Sequence, residues 1–169
     1  SNRSEGDVGY ATMDGDTSGS LAPIAGIDKP FIIQWLKWAE KELGYSGLSL
    51  VNTLQPTAEL RPLDKTQTDE KDLMPYSILV AIEKLAIRDR KSPVEVFIEL
   101  SKRQDTFFTD SIILKEYIKK FFRLWSANQW KRERFAPSFH VDDINVDPRS
   151  WCRFPILSGN FKEELIQLD

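Results

Sequence analysis

The sequence predicts a helix-rich domain with little strand. Three observations carry that expectation. Ile113, Leu114, Tyr117, Ile118, Phe121, Leu124 and Trp125 recur at helical spacing and draw one apolar stripe. Ile78, Leu79, Ile82, Leu85 and Ala86 draw a second. Ser92-Pro93-Val94-Glu95 is a capping box with proline at the first helical position. With 169 residues, the chain is long enough for one domain with its own core.

In chain order, residues 1–9 predict a short helix stopped at or just after Gly9. Met13-Asp14-Gly15-Asp16-Thr17-Ser18-Gly19-Ser20 is a turn-rich loop, because Gly and Asp accept turn geometry. Its Asp spacing imitates the start of a calcium loop, but the twelfth position is Ala25 where a bidentate Glu is needed, so calcium is discarded. Residues 21–27 read as a short extended passage. Asp28 caps the next helix, Pro30 lies in its first turn, Phe31, Ile32, Trp35, Leu36 and Ala39 form its buried face, and Gly44 stops it. Residues 48–54 read as a brief strand or extended run. Residues 61–71 form a polar loop without apolar periodicity, and such loops are uncommon in compact domains unless they are functional or mobile. A strong helix then starts at or just after Asp72. The capping box opens a helix over 93–100, and residues 103–108 connect it to the long helix, capped by Asp110 or Ser111. Residues 136–155 are irregular, broken by Pro137, Pro148 and Pro155, and 161–168 form a last short helix.

The composition is that of a globular protein, with 41% apolar and 29% charged residues. A net charge of −3 disfavours a nucleic-acid partner, which needs a basic footprint. No apolar run approaches the roughly 20 residues of a membrane helix, and no leader pattern is visible, so no membrane partner and a cytoplasmic location are expected. One cysteine, Cys152, excludes an internal disulfide and suits a reducing compartment. The chain lacks an initiator Met and is expected to be a piece of something longer.

Several residues can carry chemistry. The long apolar stripe runs into Trp130-Lys131-Arg132-Glu133-Arg134, a cation cluster that can hold an anion or form a solvated helix end. His140, Asp142, Asp143 and Asp147 match no zinc or two-metal spacing. Cys152 beside Trp151 and Phe154 reads as a small buried hydrophobe rather than a nucleophile. Glu5, Tyr10, Lys29 and Thr57 offer a carboxylate, an aromatic plate, a lysine and a hydroxyl, the parts of a nucleotide–magnesium site. The ordinary reading of each stays open: a surface charge, a core ring, a first-turn lysine and a cap.

In combination the motifs resemble a known family. Ser1-Asn2-Arg3-Ser4-Glu5, Gly9-Tyr10-Ala11-Thr12, Gly15-Asp16, Pro23-Ile24-Ala25-Gly26-Ile27-Asp28-Lys29, Pro56-Thr57-Ala58-Glu59-Leu60, Thr68-Asp69-Glu70 and Trp130-Lys131-Arg132 occur in the order found in NAD synthetases. The tail segments from Asn128 to His140 and from Asp147 to Pro155 are similar to the bacterial glutamine-dependent subgroup. The resemblance implies an α/β fold: residues 1–169 would be the C-terminal, helix-rich portion of a Rossmann-like ATP pyrophosphatase domain. It implies a carbon–nitrogen ligase that amidates deamido-NAD (nicotinic acid adenine dinucleotide) to NAD through an adenylate, with ATP as substrate and ammonia drawn from glutamine. Mg²⁺ is the implied cofactor and Glu5 its ligand. Lys29 and Thr57 would hold ATP. Glu5, Tyr10, Ala11, Thr12, Met13, Asp16, Trp130 and Lys131 would hold deamido-NAD, and residues 61–71 resemble the family's mobile lid. A homo-oligomer is expected.

The chain departs from the family pattern in two ways. The pyrophosphate loop, Ser-Gly-Gly-x-Asp-Ser, and the glutaminase domain are absent and expected ahead of Ser1, so this chain alone is expected to be inactive. Met13 stands where the shorter ammonia-dependent forms often carry Lys. Two other classes remain in view. One is another ATP pyrophosphatase or amidotransferase with a different acceptor, against which the Trp130-Lys131-Arg132 tail argues. The other is a non-catalytic helical interaction module.

Overall fold

The computed structural model describes residues 1–57, 68–103 and 110–169. Among them the regular structure is helical and there is no strand. The first helix, α1, spans Arg3–Val8. Asn2 caps it reciprocally with Glu5, and Gly9 ends it in the left-handed region at φ 68°. Residues 23–27 form a turn, not the extended passage the sequence predicts, because Ala25 and Ile27 bond back to Ala22 and Ile24.

Helix α2 spans Lys29–Glu42, capped by Asp28 with proline in its first turn, and Gly44 follows at φ 71°. Its apolar stripe is not buried as predicted. Ala39 is enclosed, whereas Phe31 and Trp35 stay 55% and 45% exposed. The stripe is amphipathic, but it points away from the core. Residues Leu48–Thr53 form helix α3 instead of a strand. Asn52 there donates to Glu40 Oε2 at 2.6 Å and to the Leu36 carbonyl at 3.3 Å, which ties α3 to α2.

Thr68 caps α4, Asp69–Asp72, so the predicted polar loop contains a helical turn at its end; residues 58–67, where most of the lid reading falls, lie outside the described residues. The next helix, α5, starts at Tyr76 rather than near Asp72, because Pro75 keeps Met74 out of helical geometry. It runs Tyr76–Glu83 and widens into a π-helical turn over Lys84–Arg88. Helix α6, Pro93–Ser101, has the predicted capping box, and Asp110 caps the long α7, Ser111–Ala127. The predicted connector 103–108 lies mostly outside the described residues. A four-residue turn, α8, spans Gln129–Arg132, and α9 spans Lys162–Ile166. No described helix is long and apolar enough to cross a membrane.

The core sits where α5, α6 and α7 meet. Leu79, Ile82, Val96, Leu100, Ile118 and Phe121 are each fully enclosed. Phe121 stacks on Trp125 at 6.3 Å between ring centroids, and Trp125 meets Phe154 edge-on at 5.2 Å, which fastens the irregular tail to α7. Ile113, at the start of the predicted stripe, is half-exposed, while Phe122 beside the stripe is buried.

A polar hub is buried beneath α1. The guanidinium of Arg3 is wholly enclosed. Its Nε lies 2.5 Å from Glu83 Oε1, and Nη1 donates to Asp142 at 2.7 Å and to the carbonyls of Gly26 and Ile144 at 2.8 and 3.0 Å. Asp7 lies beside Glu83, and burial raises the pKa of both carboxyls, Glu83 to about 7. Beyond its own burial, Asp7 feels the negative field of Glu83, while Arg3 draws Glu83 back toward its ionised form.

Because both folded pKa values lie above the unfolded ones, this stability is full below about pH 4 and is lost as pH rises toward 7 and beyond. Urea unfolding from pH 5 to 8 is therefore expected to show stability falling with pH. In Asp7→Asn, which removes one of the two raised carboxyls, the fall should be smaller. An equal slope in both proteins would rule out Asp7 as a source of it.

Candidate functional site

A cavity of about 700 Å³ opens beside α1. It is lined by Glu5, Gly9, Tyr10, Ala11, Thr12, Met13, Asp16, Lys29, Thr57, Asp69, Trp130 and Lys131. All ten residues that the sequence and the family resemblance single out thus face one space, although they span positions 5 to 131. Gly9 and Asp69 are the additions.

Four segments build most of the walls, and Thr57 and Asp69 complete them. Helix α1 carries Glu5, with its side chain held at both ends. Oε2 accepts from the Asn2 N–H at 3.2 Å, and Oε1 accepts from Lys29 Nζ at 3.0 Å. The loop after Gly9 supplies Tyr10 through Asp16. The Tyr10 hydroxyl donates to Asp72 Oδ2 at 3.0 Å, which joins the loop to α4. Asp16 Oδ2 accepts from the Thr12 N–H at 2.7 Å, so that carboxylate staples the loop as well as facing the cavity. The start of α2 supplies Lys29, whose own N–H donates to Ser4 Oγ at 3.1 Å. Turn α8 supplies Trp130 and Lys131. Lys131 Nζ donates to the carbonyls of Gly9 and Ala11 at 2.8 and 2.9 Å and lies 5.8 Å from the Trp130 ring centroid.

Asp69 stands in the Thr68-Asp69-Glu70 motif, but sequence reasoning gives it no place in the site. It is 4% exposed. Oδ2 accepts from the Tyr76 hydroxyl at 2.8 Å and lies 3.8 Å from Lys29 Nζ. Oδ1 has no hydrogen-bond partner among the described residues. Burial and the Asp69 carboxylate push the Tyr76 phenol far up, so it stays a donor. The available signal is Thr68, an N-cap residue ahead of two consecutive acids.

Magnesium binds through one or two carboxylates and completes its shell with phosphate oxygens and water. Glu5 and Asp69, set on either side of Lys29, fit that donor set, and Asp69 Oδ1 is a buried oxygen without a hydrogen-bond partner among the described residues. No group of three or more His, Cys, Asp or Glu that could hold a metal occurs among the described residues. His140 pairs with Ser150 Oγ at 3.0 Å, and burial pushes the Cys152 thiol up to about 12, away from nucleophilic use.

The arrangement matches known proteins. Residues 1–134 match the family model of NAD synthase. The chain belongs to this family. It is 34% identical over 150 residues to the glutamine-dependent NAD(+) synthetase of Arabidopsis thaliana, covering 87% of this chain and 21% of that protein. It is likewise 34% identical over 162 residues to the glutamine-dependent NAD(+) synthetase of Aquifex aeolicus, covering 96% of this chain and 25% of that one. A crystal structure of a glutamine-dependent NAD(+) synthetase from Cytophaga hutchinsonii superposes with a TM-score of 0.81 at 55% identity, over all of this chain and 25% of that one. The helices above therefore have an NAD synthetase-domain fold. The chain spans about a fifth of the length of the first curated relatives it matches.

Proposed function

We propose that the chain is the C-terminal portion of an α/β, Rossmann-like ATP pyrophosphatase domain, and that its cavity holds deamido-NAD beside ATP for amidation to NAD. The observation that carries this reading is the gathering of ten predicted residues on one cavity wall. In the proposed reaction the carboxylate of deamido-NAD attacks the α-phosphate of ATP. An adenylate forms and pyrophosphate leaves. Ammonia, drawn from glutamine elsewhere in the protein, then displaces AMP and yields the amide.

This chain's residues have distinct tasks in that scheme. Lys131 has three N–H groups, two of them bonded to the Gly9 and Ala11 carbonyls, and the third is directed to the acid substrate. Lys29 and Thr57 hold ATP phosphates. Lys29 leaves Glu5 to do so, and the carboxylates of Glu5 and Asp69 then become available to magnesium. When bound, that ion neutralises phosphate charge. Tyr10 and Trp130 offer aromatic surface to the dinucleotide.

The two lysines test the assignment in the full-length protein. Deleting a charged hydrogen-bond donor from a desolvated site costs about 1.5–3 kcal/mol, roughly one to two decades in affinity. Lys131→Ala should raise the apparent constant for deamido-NAD by that factor and leave the ATP constant within a few-fold. Lys29→Ala should do the reverse. If Lys131→Ala changes the ATP constant alone, or neither constant, the cavity is wrongly read.

A further inference from the structure

Helix α1 ends at Gly9, and the last carbonyls of a helix have no partner within it. Here the carbonyls at the end of α1 are met from a single distant turn. Arg132 Nη1 donates to the Asp7 carbonyl at 2.7 Å. Asn128 Nδ2 donates to the Val8 carbonyl at 2.8 Å. Lys131 Nζ takes the carbonyls of Gly9 and Ala11. Positions 128, 131 and 132 share one face because they are three and four residues apart. The carbonyls run in order along α1 and into the loop that walls the cavity.

Only Lys131 of the three lines the cavity. Arg132 is 3% exposed, with its guanidinium carbon 3.6 Å from the Trp125 ring centroid and Nη2 bonded to the Trp125 carbonyl. Asn128 packs so tightly on Gly9 that a Cβ built at Gly9 would lie 2.3 Å from Asn128 Cβ. Both side chains therefore sit behind the wall and grip it.

We propose that Asn128 and Arg132 are positioning residues, which hold the Asp7 and Val8 carbonyls at the end of α1, fix the start of the Gly9–Ala11 segment and so set the point at which Lys131 presents its remaining N–H to the acid substrate. This rests on the reading of the cavity given above. A ligand-binding lysine held by carbonyls is placed only as well as those carbonyls are. Loosening them should weaken the acid substrate more than ATP, whose lysine stands on α2 with its backbone N–H bonded to Ser4 Oγ.

The test uses Asn128→Ala and Arg132→Lys in the full-length protein, with Lys131→Ala beside them. Asn128→Ala deletes the donor but keeps the Cβ against Gly9, so it carries the test if Arg132→Lys does not fold. Loss of one such hydrogen bond should raise the apparent deamido-NAD constant about threefold to tenfold. The ATP constant should stay within twofold, and amide exchange over residues 9–13 should quicken. A lowered melting temperature with both constants unchanged would make the two residues structural only and overturn the proposal. So would a raised deamido-NAD constant in Lys131→Ala with neither of the other variants following it. If Lys131→Ala itself leaves that constant unchanged, the cavity reading fails, and the positioning role falls with it.

Discussion

Arg3→Leu is expected to lower the unfolding free energy by about 3–5 kcal/mol, the range for stripping one partner from a buried ion pair. Arg3 is fully enclosed and bridges four parts of the chain. Its guanidinium meets Glu83 from α5, Asp142 and the Ile144 carbonyl from the tail, Asp28 at the cap of α2, and the Gly26 carbonyl. Leucine fills part of the volume and satisfies none of these groups. Glu83, with no solvent exposure, then loses its cation and is left buried beside Asp7. Urea unfolding at pH 7 measures the cost. The double variant Arg3→Leu with Glu83→Leu should recover a substantial part of it, because residues in one network do not add. A single-variant cost below about 1 kcal/mol would show that water, not Arg3, satisfies the hub.

Gly9→Ala is expected to damage both stability and the site. Two independent costs meet at this position. A non-glycine residue in the left-handed region costs of order 1–3 kcal/mol, and Gly9 has φ 68°. Overpacking adds about 1–3 kcal/mol, and the new methyl would lie 2.3 Å from Asn128 Cβ. The backbone must move, and the carbonyl that moves is the one Lys131 holds. The expected outcome is a loss of about 2–5 kcal/mol with a weakened deamido-NAD constant. A control separates backbone strain from crowding: Gly44→Ala has φ 71° with nothing near its Cβ, so it should carry the strain cost alone. Equal losses at the two glycines would mean that Asn128 does not enforce the close approach.

Local chemistry was the legible part of this fold. Asp28 with Pro30, Ser92 with Glu95, and Asp110 all cap the helices they predict, because a cap is decided within four residues. Tertiary chemistry was not legible. Residues 48–54 alternate enough to suggest a strand, yet Asn52 binds them back to α2 as a helix. The stripe of α2 is helical as expected, but periodicity states that a face is apolar and not what it faces. In the site, Glu5, Tyr10, Lys29 and Thr57 stand out by residue type, while the others follow from motif resemblance. Asp69 stayed hidden because its burial depends on Tyr76, seven residues on and beyond a proline. Arg3 looked like one charge in a polar run, since its partners Glu83 and Asp142 lie far along the chain.

The grip on Lys131 also bears on entropy. A free lysine carries about 2 kcal/mol of rotamer freedom, which a ligand must suppress if it is to use the charge. In this chain the side chain is already confined by two carbonyls and lies near the Trp130 ring, so folding rather than binding does the ordering. An incoming carboxylate then meets an ammonium of fixed direction, partly stripped of water. Arginine at 131 would bring the same charge on a planar fork that cannot place one donor on each of those two carbonyls in the same way.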